Sequence, residues 1–356
     1  MNDEFYMNRA LRLAARARGM TSPNPMVGAV IVKNEETLSQ DFHKKPGTPH
    51  AEALAIEKAG GNAKGSTLYV NLEPCCHTEK RTPPCTRTII SAGIKKVVVG
   101  MVDPNPKVSG KGIAELERAG TEVKSGILED KAKRLNESYI KYITTGKPFV
   151  TLKVAMTLDG KIATPEGQSK WITGEKARKA VHRLRSSVDA IMTAIGTVKA
   201  DDPQLTARVR GDKSPLRVII DPGLEIPVRA KLLQTPPETL IVTRMHNSKA
   251  DGLERSGIKV LYFGEKLDLD WLMKELGKME ITSLLIEGGS SLNSHALEDR
   301  IVDKVMFFIA PMIIGGRESF PAVGGKTFKR LEEAYRMEDI SMRKVGEDIL
   351  IEGYIR

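Results

Sequence analysis

Short apolar runs recur along nearly the whole chain, each separated from the next by a helix-like stretch or by a turn rich in glycine and proline. Val27–Val32 and Lys96–Gly100 read as buried strands, and Ser66–Leu72 alternates as a strand does. A first helix starts at a cap on Asn2 or Asp3, turns Phe5, Leu11, Leu13 and Ala14 to one side and ends at Gly19. His50–Ala59, Pro84–Ser91 and Ile113–Ala119 also read as helices, the second with proline near its first turn. Alternation of strand and helix predicts an α/β layer fold.

The rhythm breaks at Thr144-Thr145-Gly146-Lys147-Pro148, which places a boundary between domains spanning 1–145 and 146–356. A length of 356 residues exceeds one ordinary domain and suits two. Beyond the boundary, Glu175–Ser186 reads as a helix. Phe149–Met156, Ala190–Ile195, Leu216–Ile220, Leu240–Thr243, Val260–Phe263, Ser283–Ile286 and Val305–Ala310 read as strands. The second half is therefore α/β as well. No repeat of fixed period and no low-complexity tract interrupts either half.

Several classes are disfavoured. The longest apolar stretch, Val305 to Ile314, contains Pro311 and is about half the length that crosses a bilayer. Met1-Asn2-Asp3-Glu4 is polar, with no signal-peptide core behind it, so a cytoplasmic protein with no membrane partner is expected. Residues 1–145 hold 22 basic and 16 acidic side chains, and the remainder 33 and 29. That thin, even excess fits phosphate-bearing small molecules and argues against nucleic acid, which favours a concentrated basic surface. The three cysteines, Cys75, Cys76 and Cys85, lie within eleven positions. Such clustering points to a reducing compartment and to a metal or catalytic role.

The sharpest chemical signal is His50-Ala51-Glu52, followed by Pro74-Cys75 and then Cys85. One imidazole and two thiolates suit Zn²⁺, and three protein ligands leave the fourth tetrahedral position to water. Zinc lowers the pKa of that water toward neutrality, and Glu52 is placed to carry its proton. His-x-Glu with Pro-Cys-x-x-Cys is the signature of zinc deaminases, but here nine residues, not two, precede the last cysteine. On spacing alone Cys76 rivals Cys75 as first ligand, and a closed structural zinc is the alternative to a catalytic one. Residues i and i+2 lie about 200° apart around a helix, so His50 and Glu52 converge only at a helix end. Pro49 supports such an end. In the second half, Ile286-Glu287-Gly288-Gly289-Ser290-Ser291-Leu292 reads as strand, glycine turn and helix. Such a turn either cradles a phosphate or is simply a turn.

A family resemblance covers most of the chain. It rests on Pro23-Asn24-Pro25-Met26-Val27-Gly28, His50-Ala51-Glu52, Leu72-Glu73-Pro74-Cys75-Cys76-His77, Arg81-Thr82-Pro83-Pro84-Cys85 and Asp103-Pro104-Asn105-Pro106. Later segments extend it: Lys153–Lys161, Ser169–Thr173, Leu184-Arg185, Gly196-Thr197-Val198, Asp201–Arg208 and Glu287-Gly288-Gly289. Together these strongly resemble the RibD family of riboflavin biosynthesis proteins, which joins a pyrimidine deaminase to a reductase. The sequence differs from the usual family pattern at Cys76, where serine is common, and at Thr78-Glu79-Lys80, a loop one residue longer.

The resemblance implies a cytidine-deaminase-like three-layer domain followed by a dihydrofolate-reductase-like domain that uses NADPH. It implies that His50, Cys75 and Cys85 bind zinc, that Glu52 shuttles protons, and that Asn24 and His43 lie near the substrate. In the second domain it puts Ala155, Trp171, Thr197, Asp201 and the stretch Gly289, Ser290, Ser291, Leu292, Asn293, Ser294, His295 at the cofactor. Ser169, Arg185, Leu205, Arg208 and Glu287 fall at the substrate, and Lys153 near the reacting carbon. Read as residues, Arg185 and Arg208 suit either a phosphate clamp or ordinary ion pairs, and Trp171 either a stacking platform or a core position. Asp201-Asp202 is either a like-charge pair with one raised pKa or the start of a turn at Pro203. The implied substrate is a phosphorylated pyrimidine and the implied assembly a homo-oligomer. The rivals are a deaminase acting on RNA and a non-catalytic scaffold around a structural zinc.

Overall fold

The apolar runs become the central strands of two separate sheets. The computed structural model describes residues 2–77, 83–209, 213–325, 328 and 330–356. The chain divides into two units, Met1–Gly146 and Lys147–Arg356.

The first unit runs α1 (Asp3–Ala14), β1 (Gly28–Lys33), β2 (Glu36–Phe42), α2 (Ala51–Ala59), β3 (Thr67–Leu72), α3 (Cys85–Ser91), β4 (Lys96–Met101), α4 (Lys111–Arg118), β5 (Glu122–Lys124), α5 (Glu129–Leu135) and α6 (Glu137–Thr145). Its five strands lie in the order β2-β1-β3-β4-β5. β1 is antiparallel to β2 and β3, whereas β3, β4 and β5 are parallel. One helix group contains α1 and α5, and another links α2, α3 and α4. The sheet between them gives the three-layer arrangement.

Asn2 caps α1 by accepting from the Phe5 N–H at 3.0 Å. The buried side of that helix is Tyr6, Met7, Ala10, Leu11, Leu13 and Ala14, and Phe5 is exposed instead of facing the core. The helical turns end earlier than Gly19, at a 3₁₀ turn over Ala15–Ala17. β1 approaches α1 so closely that a Cβ on Gly28 would lie 2.2 Å from the Ala10 carbonyl oxygen. β3 is buried from Leu68 to Leu72 on both faces and does not alternate in burial.

The second unit runs β6 (Phe149–Thr157), β7 (Lys161–Ala163), α7 (Glu175–Ser186), β8 (Ala190–Ala194), α8 (Ile195–Asp201), β9 (Leu216–Ile220), α9 (Lys231–Gln234), β10 (Thr239–Thr243), α10 (Ser248–Arg255), β11 (Lys259–Tyr262), α11 (Leu269–Lys278), β12 (Ser283–Ile286), α12 (Ser290–Glu298), β13 (Lys304–Ala310), β14 (Phe320–Pro321), β15 (Met337–Val345) and β16 (Asp348–Ile355). Nine strands form one sheet in the order β11-β10-β9-β8-β12-β6-β13-β16-β15. Strands from β11 through β13 are parallel to their neighbours, and the hairpin β15–β16 adds an antiparallel edge.

Alternate residues of the parallel strands feed two cores. Met192, Val218, Val242 and Ile286 face one, and Ile191, Ile219, Ile241 and Leu285 face the other. Burial on both faces is why these strands read as unbroken apolar runs.

Candidate active sites

His50 is the N-cap of α2 with an extended backbone (φ −74°, ψ 163°), and Glu52 stands in the first turn. A capping position escapes the helical rotation that would separate the two side chains. Cys85 opens α3 directly after Pro84, and Cys75 lies in the loop after β3. The His50 Nδ1 atom stands 3.5 Å from the Cys75 sulfur and 3.2 Å from the Cys85 sulfur. All three donor atoms lie within 4.8 Å of one another.

Zinc–nitrogen bonds of about 2.0–2.1 Å and zinc–sulfur bonds of about 2.3 Å at tetrahedral angles require N···S separations of roughly 3.5 Å. The donor set therefore fits zinc in both chemistry and spacing. Of the two adjacent thiols, Cys75 is the one in this triad; the Cys76 sulfur points to the Lys107 carbonyl at 3.9 Å. The Thr78-Glu79-Lys80 loop, with Arg81 and Thr82, lies outside the described residues.

Glu52 is 3% exposed and its Oε2 atom is buried without a hydrogen-bond partner. Burial pushes its carboxyl pKa above the ordinary range. Asn24 Nδ2 and His43 Nε2 are 3.2 Å apart, and the His43 ring meets the His50 ring edge-on at 5.2 Å. Asn24, His43 and His50 thus lie in succession, with Glu52 in the first turn of α2 after His50.

Residues that carry no motif hold the neighbouring segments in place. Asn136 accepts from the Met26 N–H at 2.8 Å and donates to the Met26 carbonyl at 3.0 Å. Asn71 donates to the same carbonyl and accepts from the Gly28 N–H. Tyr139 donates to Asp103 at 2.9 Å. Burial raises the Asp103 pKa to about 6, even though the Asn105 N–H and Tyr139 pull it down.

In the second unit the polar cluster sits at the carboxyl ends of the parallel strands, where α/β sheets bind ligands. Glu287 follows β12, and its backbone is held by the Met192 carbonyl and the Thr193 hydroxyl. Arg185 from α7 grips its carboxylate with Nε at 2.6 Å and Nη2 at 3.0 Å, and Lys153 from β6 reaches it at 3.2 Å. Burial would raise the Glu287 pKa, but the two cations outweigh it and hold the carboxyl at about 2. His182 accompanies them. Its ring contacts the Thr206 carbonyl, and its pKa is held down by burial and by the charges of Arg185 and Arg208.

The remaining residues are distributed around this cluster. Ala155 lies two positions past Lys153 on β6, and Leu205 is buried with a left-handed backbone (φ 53°). Arg208 is exposed and donates to Gln204. Ser169 Oγ lies 3.5 Å from Asp201, and Lys170 pairs with Asp201 at 3.0 Å. Asp202, the left-handed C-cap of α8, has its pKa lowered by the Lys231 N–H and ammonium. Asp202 pairs with Lys231 at 3.3 Å and Asp201 with Lys170, so each carboxylate faces a cation of its own.

Trp171 is 67% exposed, not a core residue, and the Arg178 guanidinium lies 4.6 Å above its ring. Gly289 is the N-cap of α12, with the Thr197 hydroxyl beside it. Ser290 and Ser291 form the first turn of that helix. Leu292 and Asn293 point into the interior, Asn293 donating to the Ala322 carbonyl at 2.7 Å. Ser294 donates to Glu298, and His295 faces solvent. A cavity of about 640 Å³ lies farther along α12, lined by Ser294, Glu298, Arg300 and Tyr335, away from the Lys153–Glu287 pair.

Fold and sites together define a two-enzyme chain: a zinc-dependent deaminase unit followed by a dihydrofolate-reductase-like unit. The cytidine and deoxycytidylate deaminase zinc-binding region matches residues 1–101, and the RibD C-terminal domain matches residues 148–351. The riboflavin biosynthesis protein RibD of Aquifex aeolicus is 44% identical over 98% of this chain and 97% of its own. Acinetobacter baumannii RibD superposes with a TM-score of 0.91 at 38% identity, covering 99% of each chain. The Thermotoga maritima diaminohydroxyphosphoribosylaminopyrimidine deaminase/5-amino-6-(5-phosphoribosylamino)uracil reductase does so at 0.89 and 35%, again covering 99% of each. The chain belongs to the RibD family of bifunctional riboflavin biosynthesis enzymes. Its deaminase half uses zinc and its reductase half NADPH.

Proposed function

We propose that residues 1–145 deaminate 2,5-diamino-6-ribosylamino-4(3H)-pyrimidinone 5′-phosphate at its 2-amino group. Residues 146–356 then reduce the ribosyl side chain, giving 5-amino-6-(ribitylamino)uracil 5′-phosphate. One observation carries the first half: His50, Cys75 and Cys85 converge at zinc-binding distances beside a buried, unpartnered Glu52 oxygen.

Zinc held by His50, Cys75 and Cys85 supplies Lewis acidity that activates water at neutral pH. Glu52 takes the proton of the attacking water on Oε2 and delivers it to the departing ammonia; its burial favours the protonated form between the two transfers. Asn24 and His43 orient the pyrimidine through their adjacent nitrogen atoms.

NADPH supplies hydride in the second unit. Thr197, Asp201, Ala155, Trp171 and the Gly289–His295 stretch would hold it, and the amide groups of the first turn of α12 would offer donors suited to phosphate. Lys153 provides the proton that accompanies hydride, and Glu287 keeps that ammonium and Arg185 in place. Ser169, Leu205 and Arg208 complete the substrate side, with Arg208 toward the phosphate. A phosphorylated pyrimidine accounts for these cationic groups without nucleic acid.

Among the described residues no helix is long and apolar enough to cross a membrane, which is compatible with a cytoplasmic enzyme. Exposed Ile340 and Met342 on the edge strand β15 support a homo-oligomer.

The test follows ammonia release and NADPH oxidation by zinc-loaded protein given the diaminopyrimidine substrate. Both are expected in sequence. Glu52→Gln should lower ammonia release by about 10²–10⁴-fold while retaining zinc and still reducing the deaminated intermediate. Ammonia without NADPH oxidation would remove the reductase assignment, and full activity of the variant would remove the role of Glu52.

A further inference from the structure

The Glu73 carboxylate is not part of the zinc triad, yet it lies two residues before Cys75 and is 3% exposed. Four backbone N–H groups converge on it. Asp103 and Gly110 donate to Oε2 at 3.1 and 2.9 Å, and Gly112 and Ile113 donate to Oε1 at 2.9 and 3.1 Å. Gly110, the N-cap of α4, has a left-handed backbone and no side chain to cap the helix. Glu73 therefore caps α4 from a distant part of the chain, and the four donors compensate its charge at the positive end of the helix dipole. A second contact works in the same direction: a Cβ on Gly112 would lie 2.2 Å from the Pro74 carbonyl oxygen, so the helix abuts the peptide joining Glu73 to Cys75. On the other side, the Cys75 carbonyl accepts from the Thr86 N–H at 3.3 Å, next to Cys85.

From this geometry we infer that Glu73 is a positioning residue, which docks the Cys75 loop on the N-terminus of α4 and presets the Cys75 sulfur for zinc. The inference rests on the zinc-binding reading of His50, Cys75 and Cys85 given above. Without the dock, the loop after β3 would have to be ordered by the metal itself, at a cost in affinity. Residues that orient metal ligands from outside the ligand shell typically contribute 10–100-fold to affinity. An amide at position 73 loses acceptor capacity on one side and sets its NH₂ against two backbone donors.

Zinc affinity of the full chain, measured by competition with a chromophoric chelator, tests this. Glu73→Gln should bind zinc 10–100-fold more weakly than the unaltered protein, with an unaltered near-ultraviolet circular dichroism spectrum and a retained first-unit unfolding transition as the control on folding. Its cobalt-loaded form should show altered thiolate-to-metal absorption. Gly112→Ala, which keeps the Glu73 carboxylate but pushes on the Pro74 carbonyl and crowds Glu73 Oε1 at 3.1 Å, should weaken zinc in the same direction. The second variant decides the matter if the first does not fold. Zinc affinities within threefold of the unaltered protein, with an unshifted cobalt spectrum, would show that Glu73 only stabilises α4 and would overturn the inference. An unaltered protein that binds no zinc would instead overturn the reading of the metal centre, and the inference with it.

Discussion

Glu287 illustrates how one residue ties burial to charge. Two cations hold its carboxyl at about 2, against an ordinary value of 4.5. An acid with a depressed folded pKa contributes stability that is complete above its unfolded pKa and lost as pH falls toward the folded one. The second unit should thus lose this contribution between about pH 4.5 and pH 2, and Glu287→Gln should flatten the acid limb there. At neutral pH that variant leaves Arg185 and Lys153 without their partner and should cost roughly 3–5 kcal/mol, measurable by urea unfolding. Parallel acid limbs for the two proteins would contradict the assignment. At this scale the sequence was most legible where a side chain carries its own chemistry, as in His50, Glu52, Cys75 and Cys85. Glu73, Asn71 and Asn136 stayed silent because their partners are backbone atoms, which leave no pattern of residue types. His182 was equally silent, since its neighbours meet only in the folded chain.

Strands were legible in proportion to how completely they are buried, and helices where turn residues mark both ends. Glu175–Ser186, Leu216–Ile220 and Ser283–Ile286 have the boundaries read from sequence, because apolar periodicity and turn residues agree there. The hairpin β15–β16 and the strand β2 escaped notice. β15 is exposed along most of its length, and the polar residues of β2 lack a continuous apolar run. Helices α5 and α6 were missed for a related reason: each has a single buried anchor, Ala132 and Tyr139, and the other residues that pack on the core, among them Leu135, Ile140 and Ile143, are only partly covered. The meeting of α1 and β1 gives a prediction at this scale. Gly28→Ala would drive a methyl group into the Ala10 carbonyl oxygen, 2.2 Å away. It should destabilise the first unit by roughly 3 kcal/mol or more, seen as a lower urea midpoint for deaminase loss than for reductase loss. Equal midpoints would show that α1 can shift to make room.

For the molecule as a whole, each unit has its own apolar interior: among the described residues, one large core and a small cluster at Cys75, Cys85 and Val108 in the first, and two large cores with a smaller one around Phe308 and Leu350 in the second. Calorimetry should therefore resolve two transitions. Chelation of zinc should lower only the one belonging to the first unit, and saturating NADPH should raise only the other. A single transition moved by both treatments would mean the units unfold together. The nine-strand extent of the second sheet was not readable, because β15 in its antiparallel edge has no apolar run. In β6, Leu152 and Val154 face one core while Lys153 between them reaches Glu287 on the opposite side. Gain or loss of a single residue ahead of Lys153 in that strand would invert this arrangement, placing an ammonium in oil and the Leu152 or Val154 side chain at the site. A change of chain length is therefore tolerable only in the loops beyond the strand ends, where it does not turn the reacting groups inside out.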